Sequence, residues 1–177
     1  MVILPPRYIS LPHLILNNSV LIKGSPGTLV EINNGYISVS NEDKNNQSKI
    51  SISECSFVFN LETKSFIERF KQDEILSTNT EFKDGKFKIP LIKISGNTLL
   101  EISDCDFRAI IHEDERLIEE DDEKRIIHET CFEINEKNCD DSKVQLILNS
   151  TICSNFFRII HANSTEKILI EKCHISD

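Results

Sequence analysis

The sequence DCDFR at 104–108 contains the residues with the clearest capacity for chemistry. Asp104 and Asp106 are two positions apart, so in a β-strand their carboxylates would point to the same side, with Arg108 following them. Paired carboxylates can carry out acid–base chemistry or bind Ca²⁺. We favour the alternative that both are outward polar positions of a strand whose inward residues are Cys105 and Phe107.

Cysteine and histidine residues suggest a second kind of chemistry, a zinc site. The candidate ligands are His128, Cys131 and Cys139, with Cys153 or His161 added. Structural zinc sites usually have more closely spaced cysteine pairs, and Cys131 falls where a core residue is expected. We therefore predict no metal and no cofactor.

A nucleophilic cysteine would need a histidine base. Cys173 and His174 are adjacent, so in a strand they would face opposite sides and could not pair. The stretch GSPG (24–27) indicates a turn rather than a phosphate loop because no Gly-Lys-Ser/Thr follows, and Lys23 indicates a solvated strand end. We predict no catalytic residue, and hence a protein that is not an enzyme.

Three cysteines occur inside a repeated sequence, and this repeat indicates the elements that position all of these residues. The copies are KISISECSFVFN (49–60), TLLEISDCDF (98–107) and KILIEKCHIS (167–176). Apolar residues alternate with polar ones and then shift phase by one at the cysteine, which predicts a strand, a corner and a second strand. The matching positions, including a weaker fourth copy, are Ile50, Ile52, Cys55, Phe57; Leu100, Ile102, Cys105, Phe107; Leu146, Leu148, Thr151, Ile152; and Ile168, Ile170, Cys173, Ile175.

The spacing of the copies indicates a solenoid. They start at 50, 100, 146 and 168, and the short last gap suggests the length of one unit. Further copies are then expected near 75 and within RIIHETCFEI (125–134). Stacked turns of this kind bury equivalent residues as ladders, with Cys55, Cys105 and Cys173 as small inward hydrophobes. Strands also precede the copies, with bends that require left-handed backbone at Asn33, Asn34, Asn97 and Asn163.

The units PLIKISGNTLLEISDCDF (90–107) and FFRIIHANSTEKILIEKCHIS (156–176) resemble coils of the right-handed parallel β-helix of the pectin-lyase-like superfamily. The opening ILPPRYISLPHLILNNSVLIKGSPGTLVEI (3–32) is similar to the first coils of its non-catalytic eukaryotic branch, which includes the SHC SH2-domain-binding protein and β-helical F-box proteins. The resemblance implies an all-β solenoid of about 6–7 coils. Residues 1–177 would form a single domain, with an N-terminal cap and first coil over 1–27 and polar loop insertions at 61–88 and 112–143.

By the same resemblance, such domains are rigid platforms for protein partners, and others in the superfamily bind or cleave polysaccharides. We therefore predict a non-enzymatic scaffold or interaction subunit of a larger assembly. A polysaccharide-binding or polysaccharide-cleaving enzyme and an extracellular adhesin-like module are the alternatives. The adhesin alternative is based on the even number of cysteines and on four glycosylation sequons, at Asn17, Asn46, Asn149 and Asn163.

The charge of the chain restricts its partners. The net charge is −9 and the sequence pI about 5.1, which disfavours nucleic acid. Residues 113–125 have eight acidic and three basic side chains, a net charge of −5, which indicates a solvated loop or short exposed helix. The alternative is a docking site for a basic partner, with Glu119, Glu120, Asp121 and Asp122 as its acidic residues.

The termini provide the remaining predictions. No segment is long and apolar enough to span a membrane, and the N-terminus lacks a signal peptide, which predicts a cytoplasmic protein. A cytoskeletal or ciliary assembly is one candidate for its place in the cell. Pro5, Pro6 and Pro12 are typical of an N-terminal cap. The last strand has no cap after it, so we predict that Ile168, Ile170 and Ile175 form an assembly interface with protein partners or with a second copy.

Overall fold

The computed structural model describes residues 1–43, 45–62, 82–83, 86–111, 117–120, 123–134, 143–156, 158–162 and 167–176. These residues form 19 strands and no helix, so the all-β prediction is confirmed for this part of the chain. No described helix could cross a membrane.

The strands form three sheets. The first contains, in spatial order, β1 (Val2–Leu4), β4 (Val20–Gly24), β7 (Ser48–Ser53), β11 (Thr98–Ser103), β15 (Gln145–Asn149) and β18 (Lys167–Glu171). The second contains β2 (Tyr8–Leu11), β5 (Leu29–Asn33), β8 (Ser56–Leu61), β12 (Asp106–Ile111), β16 (Ile152–Ser154) and β19 (His174–Ser176). The third contains β3 (Leu14–Leu16), β6 (Ile37–Asn41), β10 (Lys86–Gly96), β14 (Glu123–Ile134) and β17 (Arg158–Ala162), with two further strands, β9 (Phe82–Lys83) and β13 (Leu117–Glu120).

The chain visits the first, second and third sheets in turn, and each strand pairs in parallel with its equivalent in the next round. This is the topology of a parallel β-solenoid, in which each turn covers the apolar face of its neighbour. β9 and β13 are exceptions, because they pair antiparallel with the N-terminal parts of β10 and β14.

The apolar ladders predicted from the repeat are confirmed. Ile50 pairs with Leu100, Leu100 with Leu146, and Leu146 with Ile168 in the first sheet. The next inward position repeats this pairing two residues later in every strand. Equivalent residues of successive turns therefore lie one strand spacing apart, about 4.8 Å.

Two details of the predicted repeat are wrong. Because Leu100 pairs directly with Leu146, no copy of the repeat lies between them in this sheet, and residues 125–134 are in β14 of the third sheet instead. Ile50 likewise pairs directly with Leu100, and the position near 75 lies outside the described residues. In the weaker copy the inward position belongs to Cys153, which pairs with Phe107, whereas Ile152 is 44% exposed. The first inward residue of the second-sheet strand in this copy is therefore Cys153, one position after the residue that the sequence suggested.

The phase shift at each cysteine corresponds to a tight corner between the first and second sheets. Glu54, Asp104, Ser150 and Lys172 occupy equivalent corner positions, and all have left-handed φ angles of 49–57°. One residue of this kind turns the chain between two strands, which explains why the alternation loses one step. The backbone N–H groups of Glu54, Asp104 and Ser150 each donate a hydrogen bond to a backbone carbonyl of the next turn. Asp104, for example, donates to the Asn149 carbonyl at 3.1 Å.

The predicted left-handed asparagines are confirmed only in part. Asn34 has φ 49°, whereas at the next such bend Gly96 adopts φ 72° beside Asn97. Asn33 lies within β5 and is not left-handed. Asn163 lies outside the described residues.

The interior is filled from all three sheets. Phe57 and Phe107 stack in adjacent turns with ring centroids 5.1 Å apart and nearly parallel planes. Phe132 of the third sheet meets the edge of Phe107 at 5.5 Å. All three rings are at most 1% exposed, so aromatic stacking and apolar burial hold the successive turns together.

The segments predicted as insertions and cap contain strands in their described parts. β9 and the start of β10 lie within 61–88, while β13 and β14 lie within 112–143. The C-terminal part of β14 belongs to the core, because Cys131 and Phe132 are fully buried. Residues 1–16 contain β1, β2 and β3, which are the outermost strands of the three sheets at one end of the solenoid.

Candidate functional site

A groove of about 440 Å³ runs along the corner between the first and second sheets, and we call it the corner groove. Its lining combines corner residues from successive turns with the first residues of the second-sheet strands. These residues include Glu54, Cys55, Asp104, Cys105, Asp106 and Ser150. The structure thus brings the predicted pair Asp104 and Asp106 together with a third carboxylate, Glu54, which the sequence analysis had not joined to them.

The corner groove is lined by acidic side chains, and its ion pair is exposed to solvent. Lys23 forms an ion pair with Glu54 at 2.8 Å, and their side chains are 49% and 43% exposed. This pairing raises the pKa of the Lys23 amine. Asp106 Oδ1 is a buried atom that accepts no hydrogen bond from the described residues. The predicted solvated position of Lys23 is consistent with this exposure, although Lys23 also neutralises part of the groove.

The cysteines beneath the corner groove are poor nucleophiles. Burial raises the pKa of the Cys55 thiol to about 11 and that of Cys105 to about 12. Each donates its S–H to a backbone carbonyl two residues earlier, at 3.2 Å to Ser53 and 3.3 Å to Ser103. A thiol this protonated at neutral pH supplies very little thiolate, so these residues act as small core hydrophobes.

The other cysteines do not assemble a site in the described part of the chain. Cys173 is partly buried and donates to the Glu171 carbonyl at 3.4 Å, whereas His174 is exposed in the following strand. Cys131 and Cys153 are both buried, and burial, together with the neighbouring Cys153 thiol, raises the pKa of Cys131 well above its ordinary value. The side chain of His128 and all of Cys139 lie outside the described residues.

The remaining zinc candidate, His161, has a different neighbour. Its Nδ1 lies 3.9 Å from Glu133 Oε1, within ion-pair distance when the imidazole is protonated. No group of three or more His, Cys, Asp or Glu residues suited to a metal occurs among the described residues. The predicted set is therefore divided between the Cys131–Cys153 contact in the core and the His161–Glu133 pair on the third sheet.

The third sheet contains a row of three ionisable groups, two of which, Lys93 and Glu133, are buried and were missed by sequence reasoning. Lys93 pairs in register with Glu133 and Glu133 with His161, and Lys93 and Glu133 are only 9% and 7% exposed. The Lys93 amine lies 5.7 Å from the centre of the Tyr36 ring, a cation–π distance. Alternation in PLIKIS places Lys93 on the outward side of its strand, and no local pattern signals its burial.

The predicted interface residues lie at one end of the solenoid, on β18 and β19, which we call the C-terminal edge. Ile168, Ile170 and Ile175 are 37%, 45% and 56% exposed. The ladder partners of the first two, one turn earlier, are Leu146 and Leu148, which are at most 1% exposed. The C-terminal edge therefore presents core-type positions that no described turn covers.

The opposite end, formed by β1, β2 and β3, also exposes apolar residues, which the sequence analysis did not identify; we call it the N-terminal face. Four apolar residues are exposed there, Val2 at a ladder position and Ile3, Tyr8 and Ile15 on the outward sides of their strands, at 46%, 61%, 56% and 52%. Val2 occupies the same ladder as Ile22 and Ile170, and Ile9 the same ladder as Val30 and Ile175. Both ends thus continue the same ladders.

The acidic segment has one described part before β14, the strand β13. Glu119 and Glu120 lie in this strand, so the segment is extended there rather than helical. The side chains of Glu119 and Glu120, and all of Asp121 and Asp122, lie outside the described residues. β13 and β17 both pair with the edge of β14 that faces away from β10. β13 therefore lies on the side of the third sheet nearer the C-terminal edge.

Comparison with known proteins adds no relative. No protein-family model matches the chain, and neither curated proteins nor solved structures give a significant match.

Proposed function

We propose that the protein is a non-enzymatic scaffold, a right-handed parallel β-helix of the pectin-lyase-like type that binds protein partners through its C-terminal edge within a larger cytoplasmic assembly. The observation that carries the proposal is the exposure of ladder positions there. Ile168 and Ile170 are 37% and 45% exposed, although the same ladders are buried from Ile50 and Ile52 to Leu146 and Leu148. A β-strand added to β18 and β19 would cover these isoleucines and use backbone groups at the strand edge.

The chemistry of the site residues supports a binding role over catalysis. Cys55 and Cys105 are protonated at neutral pH because burial raises their pKa values to about 11 and about 12. The Lys93–Glu133 row is buried, which restricts its contact with a substrate in solution. An apolar strand edge provides both affinity, through main-chain hydrogen bonds, and register, through the side-chain pockets between strands.

Fractionation of an extract of the source cell by size tests the proposal. It compares the tagged wild type with two tagged variants that have the same substitution at different positions. Ile170→Lys puts a charge on the C-terminal edge, whereas Ile110→Lys makes the same change on the flank of the solenoid at a nearly equal exposure, 43% against 45%. Wild type and Ile110→Lys should migrate with a defined large complex, and Ile170→Lys should migrate separately from it. Migration of the wild type as a free 20.3 kDa chain would refute the proposal.

The corner groove supports a second candidate function, the binding of a polysaccharide. Glu54, Asp104 and Asp106 line one continuous groove of about 440 Å³, and carboxylates are hydrogen-bond acceptors suited to sugar hydroxyls. A glycan array with wild type and the Asp104→Asn and Asp106→Asn variants tests it, together with an assay for new reducing ends. Equal glycan signals from wild type and both variants would remove this candidate.

A further inference from the structure

The two ends of the solenoid are complementary to each other in ladder position. We infer that the partner of the C-terminal edge is the N-terminal face of a second copy of this chain, so that copies stack head to tail. This inference rests on the proposed function, because it identifies the partner of the same edge.

The exposed ends of the ladders share one register. Val2 and Ile170 are the two end members of one ladder of the first sheet, and they are 46% and 45% exposed. Ile9 and Ile175 are the end members of one ladder of the second sheet. A copy whose β1 lies on β18 and whose β2 lies on β19 would therefore continue both ladders with apolar residues, and the strands would run parallel as within the chain.

The net charge of the chain also favours the approach of a second copy to the N-terminal face. Residues 1–30 contain two basic residues, Arg7 and Lys23, and no acidic residue, since the first acidic residue is Glu31. The other 147 residues then hold 18 basic and 29 acidic side chains, a net charge of −11. Lys23 lies in β4 and is paired with Glu54, so Arg7 is the basic side chain of the N-terminal face, and the acidic body of a second copy attracts it over a distance. The C-terminal edge itself has Lys167 and Lys172 against Glu171, so charge favours the approach of two copies and the ladders determine the contact.

The position of β13 adds to this polarity along the solenoid. Glu119 and Glu120 lie in β13, on the side of β14 that faces away from β10 and β6. The N-terminal strands lie on the opposite side of the same sheet, because β3 pairs with β6. Acidic residues are therefore placed towards one end of the solenoid and the basic N-terminal face forms the other.

The geometry limits the strength of this contact. The third sheet has no described strand on the level of β18 and β19, so β3 of the second copy would lie two strand spacings from β17, about 9.6 Å. Contact is then confined to the first and second sheets, which predicts weak, concentration-dependent association. A head-to-tail contact joins different surfaces and does not close by symmetry, so it generates open-ended oligomers rather than a dimer.

Sedimentation velocity of the purified chain over the micromolar to millimolar range tests this inference with Val2→Lys, Ile170→Lys and the flank control Ile110→Lys. These three positions are 46%, 45% and 43% exposed, so the substitutions are matched. Wild type and Ile110→Lys should form oligomers that lengthen with concentration, whereas Val2→Lys and Ile170→Lys alone should remain monomers. An equimolar mixture of the last two should form a 1:1 dimer and nothing larger, because each supplies the end that the other lacks.

Three outcomes would overturn the inference: a wild-type monomer throughout the range, self-association of Val2→Lys alone, or no dimer in the mixture. Self-association of Val2→Lys alone would show that two C-terminal edges pair with each other. Circular dichroism of each variant shows whether the fold is retained, and the Arg7→Glu and Arg7→Lys pair tests charge independently, with loss of association expected only for Glu. If the wild type is monomeric but Ile170→Lys still loses the large complex in cell extract, the second copy is the wrong partner and the proposed function stands. If the wild type is monomeric and Ile170→Lys keeps the large complex, both the inference and the proposed function are wrong.

Discussion

The stack of Phe57 on Phe107 gives the sharpest test of the fold, because it joins residues that are far apart in the sequence. The rings lie 5.1 Å apart at an interplanar angle of 5°, and they are 1% and 0% exposed. The register makes them direct neighbours in β8 and β12. The shorter unit that the spacing of the last two copies suggests would instead place another turn between them.

The perturbation is a double-mutant cycle with Phe57→Leu and Phe107→Leu. Leucine keeps the site apolar but removes the ring, and we expect each single change to lower the free energy of unfolding by about 2 kcal/mol, below the roughly 3–5 kcal/mol typical of truncation to alanine. An aromatic pair contributes about 0.5–1.5 kcal/mol beyond the area that it buries. The double variant should therefore lose less than the sum of the single losses, by about 1 kcal/mol.

Urea unfolding followed by circular dichroism measures each corner of the cycle. With a slope of about 2 kcal/mol per molar urea, each single variant should shift the midpoint by about 1 M. Phe57→Leu combined with Leu148→Ala is the control, because β8 and β15 lie two turns apart and separations of roughly 10 Å give additive losses within about 0.5 kcal/mol. A Phe57–Phe107 coupling no larger than this control would refute the register, and with it the conclusion that Ile50 and Leu100 are direct neighbours in adjacent turns.

The corners give three further predictions. Ser150→Gly should stabilise the protein by about 0.5 kcal/mol, since glycine adopts the φ of 49° without the cost of a side chain; a lower urea midpoint would contradict this. Gly24→Ala should destabilise it by about 2 kcal/mol, because an added Cβ would clash with the Glu54 carbonyl oxygen and Cys55; an unchanged melting temperature would show that the corner can relax. Because burial raises the pKa of Cys55 to about 11 and of Cys105 to about 12 from the ordinary 9.0, their contribution to stability should be complete below pH 9 and decline as pH rises towards those values. Urea midpoints measured against pH should decline less in a Cys55→Ala/Cys105→Ala variant, and equal declines would contradict the assignment.

The inward positions of the turns could be predicted from sequence because each turn repeats the same physical requirement. Ile50, Leu100, Leu146 and Ile168 were aligned correctly since they fill one interior slot. Ile152 was misplaced because two apolar residues, Ile152 and Cys153, follow the corner and alternation alone does not choose between them.

The candidate sites were less predictable because they depend on contacts between turns. Asp104 and Asp106 were identified from their spacing, but Glu54 joins them only because residues of successive turns become neighbours. The burial of Lys93 and Glu133, which pair in register between two turns of the third sheet, likewise has no signal in the local sequence pattern. Exposure of the N-terminal face was missed because its prolines suggested a cap.

The variable length of the turns has a consequence for engineering. Successive members of the ladder that begins at Val2 are Ile22, Ile52, Ile102, Leu148 and Ile170, so short and long turns fit one register. More than doubling the length of a closed loop, as between the shortest and longest of these turns, costs only roughly 0.8 kcal/mol of chain entropy. The connections between the second and third sheets are therefore natural places to graft foreign peptides or whole domains, whereas the corners, where one residue sets the phase of two strands, would not tolerate even a single inserted residue.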